Sequence, residues 1–198
     1  ELNELQLKSL ELVRPGANLV LISRTGSGKT LAFLLPLLRI LSPDHTGPQA
    51  MIITPSRELA LQIEGVFRKM QTGYRITALY GGHAVRTERN NLIEPAALLV
   101  GTPGRIADHL RRGHFDPEGI KSLVLDEFDK SLELGFEKEM AFIISKLAGL
   151  HTRMLTSATR MEDIPAFTGV INPVLLDFTI ADEQINLGVN IVKAEGND

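Results

Sequence analysis

Ser23-Arg24-Thr25-Gly26-Ser27-Gly28-Lys29-Thr30 is the stretch from which the rest of this chain can be read. Ahead of it runs Leu19-Val20-Leu21-Ile22, continuously apolar and strand-like, and behind it Leu31-Ala32-Phe33-Leu34-Leu35 reads as a helix. A glycine-rich turn between strand and helix points successive backbone N–H groups inward. The positive end of the helix dipole adds to them, and the resulting nest takes a polyphosphate. Lys29 then reaches the terminal phosphates, while the Thr30 hydroxyl holds a magnesium ion. The plainer alternative is a Gly/Ser-rich loop with a chance lysine, against which stand the strand before and the helix after. Ser23 occupies the place where the strict pattern opens with glycine, and it is small enough to allow a similar turn.

Working outward, apolar runs recur at 19–22, 51–54, 76–80, 97–100, 123–125, 154–156 and 174–176. Several are continuously apolar, as in strands covered on both faces. Between them lie helical patterns such as Leu59, Ile63, Val66, Phe67 and Met70. This alternation predicts an α/β fold, a parallel sheet with helices on both faces. Ligands of such sheets sit at the carboxyl ends of the strands, and the polar motifs of this chain fall there.

The 198 residues fit one domain, long enough to bury roughly 70% of the surface its unfolded chain exposes. Cysteine is absent, which excludes disulfides, thiolate zinc sites and cysteine nucleophiles. His45, His83, His109, His114 and His151 lack the close spacing of a metal site and read, for the most part, as surface or loop residues. No apolar run approaches the ~18 residues of a membrane span, and no signal peptide opens the chain, so a cytoplasmic protein with no membrane partner is expected. The start at Glu1 without methionine suggests a piece of something longer. The net charge of −3 says little about nucleic acid, because only local groups meet phosphates. The clusters Arg86-Arg89 and Arg105-Arg111-Arg112 read first as solvated helix faces.

Leu123-Val124-Leu125 runs into Asp126-Glu127-Phe128-Asp129. Acidic pairs at strand ends often cap a following helix. Opposite a phosphate-binding lysine, however, one carboxylate can hold magnesium and the next can orient and deprotonate an attacking water. Pro55-Ser56-Arg57-Glu58-Leu59-Ala60 opens a helix after the second run, with Ser56 as cap and Arg57 adding charge to an anion-binding helix start. Gly81-Gly82 follows the third run, where bare backbone lets a ligand approach. Thr102-Pro103-Gly104-Arg105 follows the fourth and again places an arginine in a first helical turn. One such turn would be ordinary. Three on one sheet edge predict a track for a second phosphate-bearing ligand, held by its backbone. Ser157-Ala158-Thr159 follows the sixth run, and its hydroxyls can bond Asp129.

In this order the motifs resemble those of the DEAD-box RNA helicases, and specifically the first of that family's two RecA-like P-loop NTPase domains. The likeness covers nearly the whole chain, and residues 1–198 read as that one domain. It implies ATP and magnesium as cofactors and single-stranded RNA as partner. By it, Gln6 reads adenine, 25–30 form motif I, and Lys29, Asp126 and Glu127 carry the catalysis with Thr30 and Asp126 on the metal. The RNA-contacting residues are Pro55, Arg57, Gly81, Gly82, Thr102 and Arg105, and Asp129, Ser157 and Thr159 couple the two ligands. Gly135-Phe136 matches the Gly-Phe that follows the family's acidic motif.

The chain departs from the family pattern at several points. Phe128 replaces alanine in the acidic motif, which predicts a bulky ring beside the nucleotide and puts the coupling through Asp129 in question. The usual Pro-Thr before the glutamine reads Leu2-Asn3, where Asn3 can keep a polar contact. The family's upstream adenine-stacking aromatic would lie before Glu1. No His-Arg-x-Gly-Arg-x-x-Arg element follows Thr159, so the second RecA-like domain, with its arginine finger, is expected elsewhere in a longer chain. A finger of that kind is worth about 10³–10⁵ in rate, so this domain alone, expected as a monomer, should hydrolyse ATP very slowly. Two other readings stand beside an RNA helicase. One is a DNA helicase of the same superfamily, and the other a nucleotide-dependent RNA clamp with little unwinding, which Phe128 keeps open.

Overall fold

A computed structural model describes residues 1–82, 85–161 and 163–179. Seven strands lie where the apolar runs predict them: β1 (Asn18–Ile22), β2 (Ala50–Ile53), β3 (Ile76–Leu79), β4 (Leu98–Gly101), β5 (Ser122–Leu125), β6 (Thr152–Ser157) and β7 (Val174–Asp177). They form one sheet in the order β3-β4-β2-β5-β6-β1-β7, with all neighbours parallel. The helices are α1 (Glu4–Leu12), α2 (Lys29–Ile40), α3 (Arg57–Lys69), α4 (Val85–Asn91), α5 (Pro103–Arg111), α6 (Phe128–Glu133) and α7 (Glu137–Lys146). The tail Lys193-Ala194-Glu195-Gly196-Asn197-Asp198, whose composition reads as a frayed end or the start of a linker, lies outside the described residues.

Alternate strand residues feed two cores, because successive side chains on a strand face opposite sides. Leu19, Ile52, Leu98, Val124 and Met154 pack under α2 and α3 with Phe33, Leu37, Ile63 and Phe67. Val20, Met51, Leu99, Leu123 and Leu155 pack on the other side with Ile106, Met140 and Ile143 from α5 and α7. Local sequence sets the helix starts. The Ser56 hydroxyl accepts from Leu59 N at 3.2 Å and caps α3, whose apolar face is Ala60, Ile63 and Phe67. Pro103 opens α5, where its missing N–H costs nothing. Asn3 caps α1 in a reciprocal box with Gln6.

Phe128 corrects the expectation drawn from it. Its ring is fully buried in the α5–α7 core, 6.2 Å from the ring of Phe167, and is not part of the lining of the cavity at the phosphate-binding loop. It is the first residue of α6, and a side chain there turns toward the sheet face that α6 covers.

Strand order decides where the motifs meet. The chain lays down β1, crosses to build β2, β3 and β4, and then returns to fill the gap with β5 and β6. The carboxyl edge is thereby sorted into two halves. The turns after β3, β4 and β2 stand together, and so do those after β5, β6 and β1.

Candidate active site

The phosphate-binding loop follows β1. Gly28 has φ 91°, a conformation that side chains rarely adopt, and a Cβ there would lie 2.6 Å from Gln6 Nε2. The backbone therefore requires glycine, and a side chain there would also displace the Gln6 amide. Gln6 Nε2 donates to Gly28 O at 3.3 Å, and Asn3 Nδ2 donates to Ser27 O at 2.9 Å. Asn3 thus keeps the polar contact foreseen for it, and α1 is tied to the loop. The Ser23 and Ser27 hydroxyls hydrogen-bond at 2.8 Å across the turn, so serine at 23 adds a brace where the strict pattern has glycine. Lys29 is buried, and its Nζ donates to Ser23 O at 2.7 Å. Burial pulls its ammonium below the usual lysine value, against the opposing pull of Asp126, Glu127 and Asp129.

Across from it, Asp126 follows β5 directly and is 5% exposed. Burial raises its carboxyl to about 6, and Glu127 adds to this. A hydrogen bond from Thr156 and the charge of Lys29 oppose the rise. Thr156 Oγ1 donates to Asp126 Oδ1 at 2.6 Å and accepts from Glu127 N at 3.1 Å. One hydroxyl from β6 therefore fixes both acidic residues. Glu127 itself has φ 47°, a left-handed backbone that is strained for a non-glycine and typical of functional turns. Sequence reasoning placed Thr156 in the strand and gave it no role. Its position, opposite the acidic motif on an adjacent parallel strand, becomes visible only once β5 and β6 are paired.

Thr25, Gly26, Gly28, Lys29, Thr30, Asp126 and Glu127 line one cavity of about 310 Å³. Thr30 offers a hydroxyl and Asp126 a carboxylate there, both hard oxygen donors. Among the described residues no cluster of three or more His, Asp or Glu forms a protein-only metal cage. A two-oxygen donor set suits magnesium, which keeps most of its shell as water and phosphate.

Asp129 joins this half to Ser157-Ala158-Thr159. Its Oδ2 accepts from Ala158 N at 3.2 Å and Thr159 Oγ1 at 3.1 Å. Burial pushes its carboxyl up, but hydrogen bonds from the Lys130 backbone, Thr159 and Ala158 outweigh that and hold it below the usual range. Ser157 donates to Thr159 O at 2.6 Å, which shapes the turn. Of the two hydroxyls expected on Asp129, that of Thr159 is in place beside Phe128, and that of Ser157 turns to Thr159 O.

The other half gathers the remaining predicted residues. Pro55 is buried ahead of α3 and Arg57 is exposed on it. The Arg57 guanidinium lies over the Tyr80 ring at 5.2 Å. Gly82 has φ 98°, and a Cβ there would meet Arg57 Nη1 at 2.8 Å, so this glycine makes room for the arginine. Thr102 N donates to Leu79 O, drawing the third and fourth turns together. Arg105 Nε stands 3.2 Å from Glu88 Oε2. Of the two arginine clusters, Arg86, Arg89, Arg111 and Arg112 are exposed as the plain reading expects. His109 is a second correction. It is wholly buried, with Nε2 2.7 Å from Glu88 Oε2. Nothing in Val85-Arg86-Thr87-Glu88-Arg89-Asn90-Asn91 tells a reader which charged residue turns inward. His83 lies outside the described residues.

A parallel sheet with a glycine-rich loop at one strand end and an acidic pair two strands away defines a RecA-like P-loop NTPase domain. The profile of the DEAD/DEAH box helicase family matches residues 3–166, and the chain belongs to that family. It is 38% identical over 174 residues to ATP-dependent RNA helicase HAS1 of Chaetomium globosum, covering 83% of this chain and 30% of that protein. To ATP-dependent RNA helicase DeaD of Escherichia coli it is 40% identical over 156 residues, 77% of this chain and 25% of the relative. The chain thus spans less than a third of these relatives. Among solved structures, a DEAD box protein from Methanococcus jannaschii superposes with a TM-score of 0.80 at 32% identity, over 90% of this chain and 50% of that one. A hypothetical ATP-dependent RNA helicase from Sulfolobus tokodaii gives the same TM-score at 28% identity, over 91% and 54%.

Proposed function

We propose that this chain is the ATP-binding, first RecA-like domain of an ATP-dependent RNA helicase, which couples ATP binding and hydrolysis to local separation of RNA strands. The observation that carries this is the sorting of the sheet edge. A phosphate loop faces an acidic pair on β5-β6-β1, and three backbone-facing turns stand side by side on β3-β4-β2. The relatives' names, ATP-dependent RNA helicases, supply the substrate.

In this reading the loop N–H groups and Lys29 hold the β- and γ-phosphates. Thr30 and Asp126 hold magnesium, which when bound neutralises phosphate charge as it builds on the leaving group. Glu127 orients and deprotonates the attacking water, and Thr156 keeps Asp126 and Glu127 at fixed separation. Gln6 stands beside the loop, where it reads the adenine edge. Pro55, Arg57, Gly81, Gly82, Thr102 and Arg105 meet the RNA backbone, so recognition carries no base code. Asp129, with Ser157 and Thr159, passes the state of one half to the other. A second RecA-like domain in the same longer chain completes both ligand sites, and the domain works as part of a monomer.

Phe128 keeps open a clamp with little unwinding, and a ring buried in the core lends that reading no particular weight. The deciding test uses the full-length protein. ATP turnover should rise with single-stranded RNA and not with DNA of the same sequence, and a short RNA duplex should separate with ATP. Equal stimulation by DNA points to the other branch of the superfamily, and stimulation without separation points to the clamp.

A further inference from the structure

Glu88 is 1% exposed, although it sits on the short and otherwise polar helix α4. A carboxylate is buried only where partners replace water, and these partners come from both neighbouring turns. Its Oε1 accepts from Tyr80 N at 2.7 Å, the residue immediately before Gly81-Gly82. Its Oε2 lies 3.2 Å from Arg105 Nε and 2.7 Å from His109 Nε2, both on α5. His109 is braced from behind by His114, their Nδ1 atoms 2.9 Å apart. Tyr80 in turn carries the Arg57 guanidinium on its ring. One buried carboxylate therefore connects all three turns of the proposed RNA track.

We propose that Glu88 is a positioning residue for RNA engagement, setting the Arg105 guanidinium and the Tyr80-Gly81 backbone in the register that successive phosphates require. The proposal rests on the reading of this edge as an RNA site. Glu88 does not touch RNA. Its charge would repel a phosphate if it faced the track, and lying beneath the turns it instead pairs with the partly exposed Arg105 guanidinium. A guanidinium offers five N–H donors in a rigid fork, so the Nε contact fixes the plane in which the other donors lie. A carboxylate with both oxygens engaged also fixes the distance between the turns after β3 and β4. Glutamine keeps the shape and an acceptor for Tyr80 N but loses the ion pair. Glu88→Gln therefore separates positioning of Arg105 from simple support of α4.

The test is ATPase turnover against RNA concentration in the full-length protein, for wild type, Glu88→Gln, Arg105→Ala and the double variant. Glu88→Gln should raise half-saturating RNA by roughly 5–20-fold with turnover at saturating RNA within about twofold. The double variant should bind RNA no worse than Arg105→Ala alone, because the carboxylate acts through the arginine. An unchanged half-saturation in a folded Glu88→Gln protein overturns the proposal, and so do fully additive losses. Wild-type turnover indifferent to RNA, or an Arg105→Ala variant with normal RNA response, overturns the RNA reading of the edge itself and the proposal with it.

Discussion

Along the β5-β6-β1 half of the sheet edge, charged groups stand in front of the strand ends and line a cavity, steadied by hydroxyls and backbone. Lys29 rests on Ser23 O, Asp126 on Thr156, and Asp129 on the Ala158-Thr159 turn. Along the β3-β4-β2 half Glu88 lies beneath the turns, while Arg57, Gly81 and Gly82 are exposed. Glu88 and His109 are buried, and Arg105 is partly covered above them. The difference follows from what each half would bind. A compact polyphosphate with its metal needs converging groups of both signs. An extended phosphodiester chain needs a row of donors with any negative charge kept out of its path.

If the halves have separate tasks, lesions in them should differ in kind. The largest effect should come from Lys29→Ala, which should lower RNA-stimulated ATP turnover by about a thousandfold while RNA binding without nucleotide persists. Near wild-type turnover would sink the assignment of the loop. Next in size is Phe128→Ala. Emptying the space of a fully buried ring should cost about 3 kcal/mol or more of stability in urea unfolding. Nucleotide affinity of the folded fraction should change little, and a selective loss of nucleotide binding would return the ring to the site.

The nucleotide half should also carry a pH signature that the other half lacks. Asp126 titrates at about 6 in the folded chain, above its ordinary 3.8. Between these values the native state keeps a proton that the unfolded chain has released. The associated stability is full below the lower value and disappears as pH rises through the upper one. With a chelator present, the stability of wild type relative to Asp126→Asn should fall by roughly 2–3 kcal/mol between about pH 4 and about pH 7. A flat difference would show that burial does not govern this carboxyl. The smallest change should follow from Thr156→Val, which removes one hydroxyl from the Asp126-Glu127 pair. Turnover should drop roughly tenfold and the magnesium concentration for half-activity should rise, with half-saturating RNA unmoved. A shift in the RNA response would mean that the two halves are not independent at this point.

The phosphate loop, the acidic motif and all seven strands were legible in the sequence, because each is a local signal. Continuous apolar runs announce buried parallel strands, and glycines, prolines and capping serines announce the turns between them. Phe128 and His109 were misread for a common reason. A residue's type does not say which way its side chain points, and both turn inward from the helices that carry them.

By itself the sequence determined that the chain is a parallel α/β domain with phosphate chemistry at its strand ends, because hydrophobic period and turn chemistry act over a few residues. Only the tertiary structure decided which motifs stand together. Strand order, set by packing across the whole sheet, interposes β5 and β6 between β1 and β2. That insertion brings Thr156 to Asp126 and Asp129 to Thr159, and it leaves β3, β4 and β2 side by side, where a helix residue like Glu88 can bind two turns at once. These contacts span 30 residues for the Thr156–Asp126 and Thr159–Asp129 pairs and 21 for His109–Glu88. No periodicity or local propensity reaches across such separations.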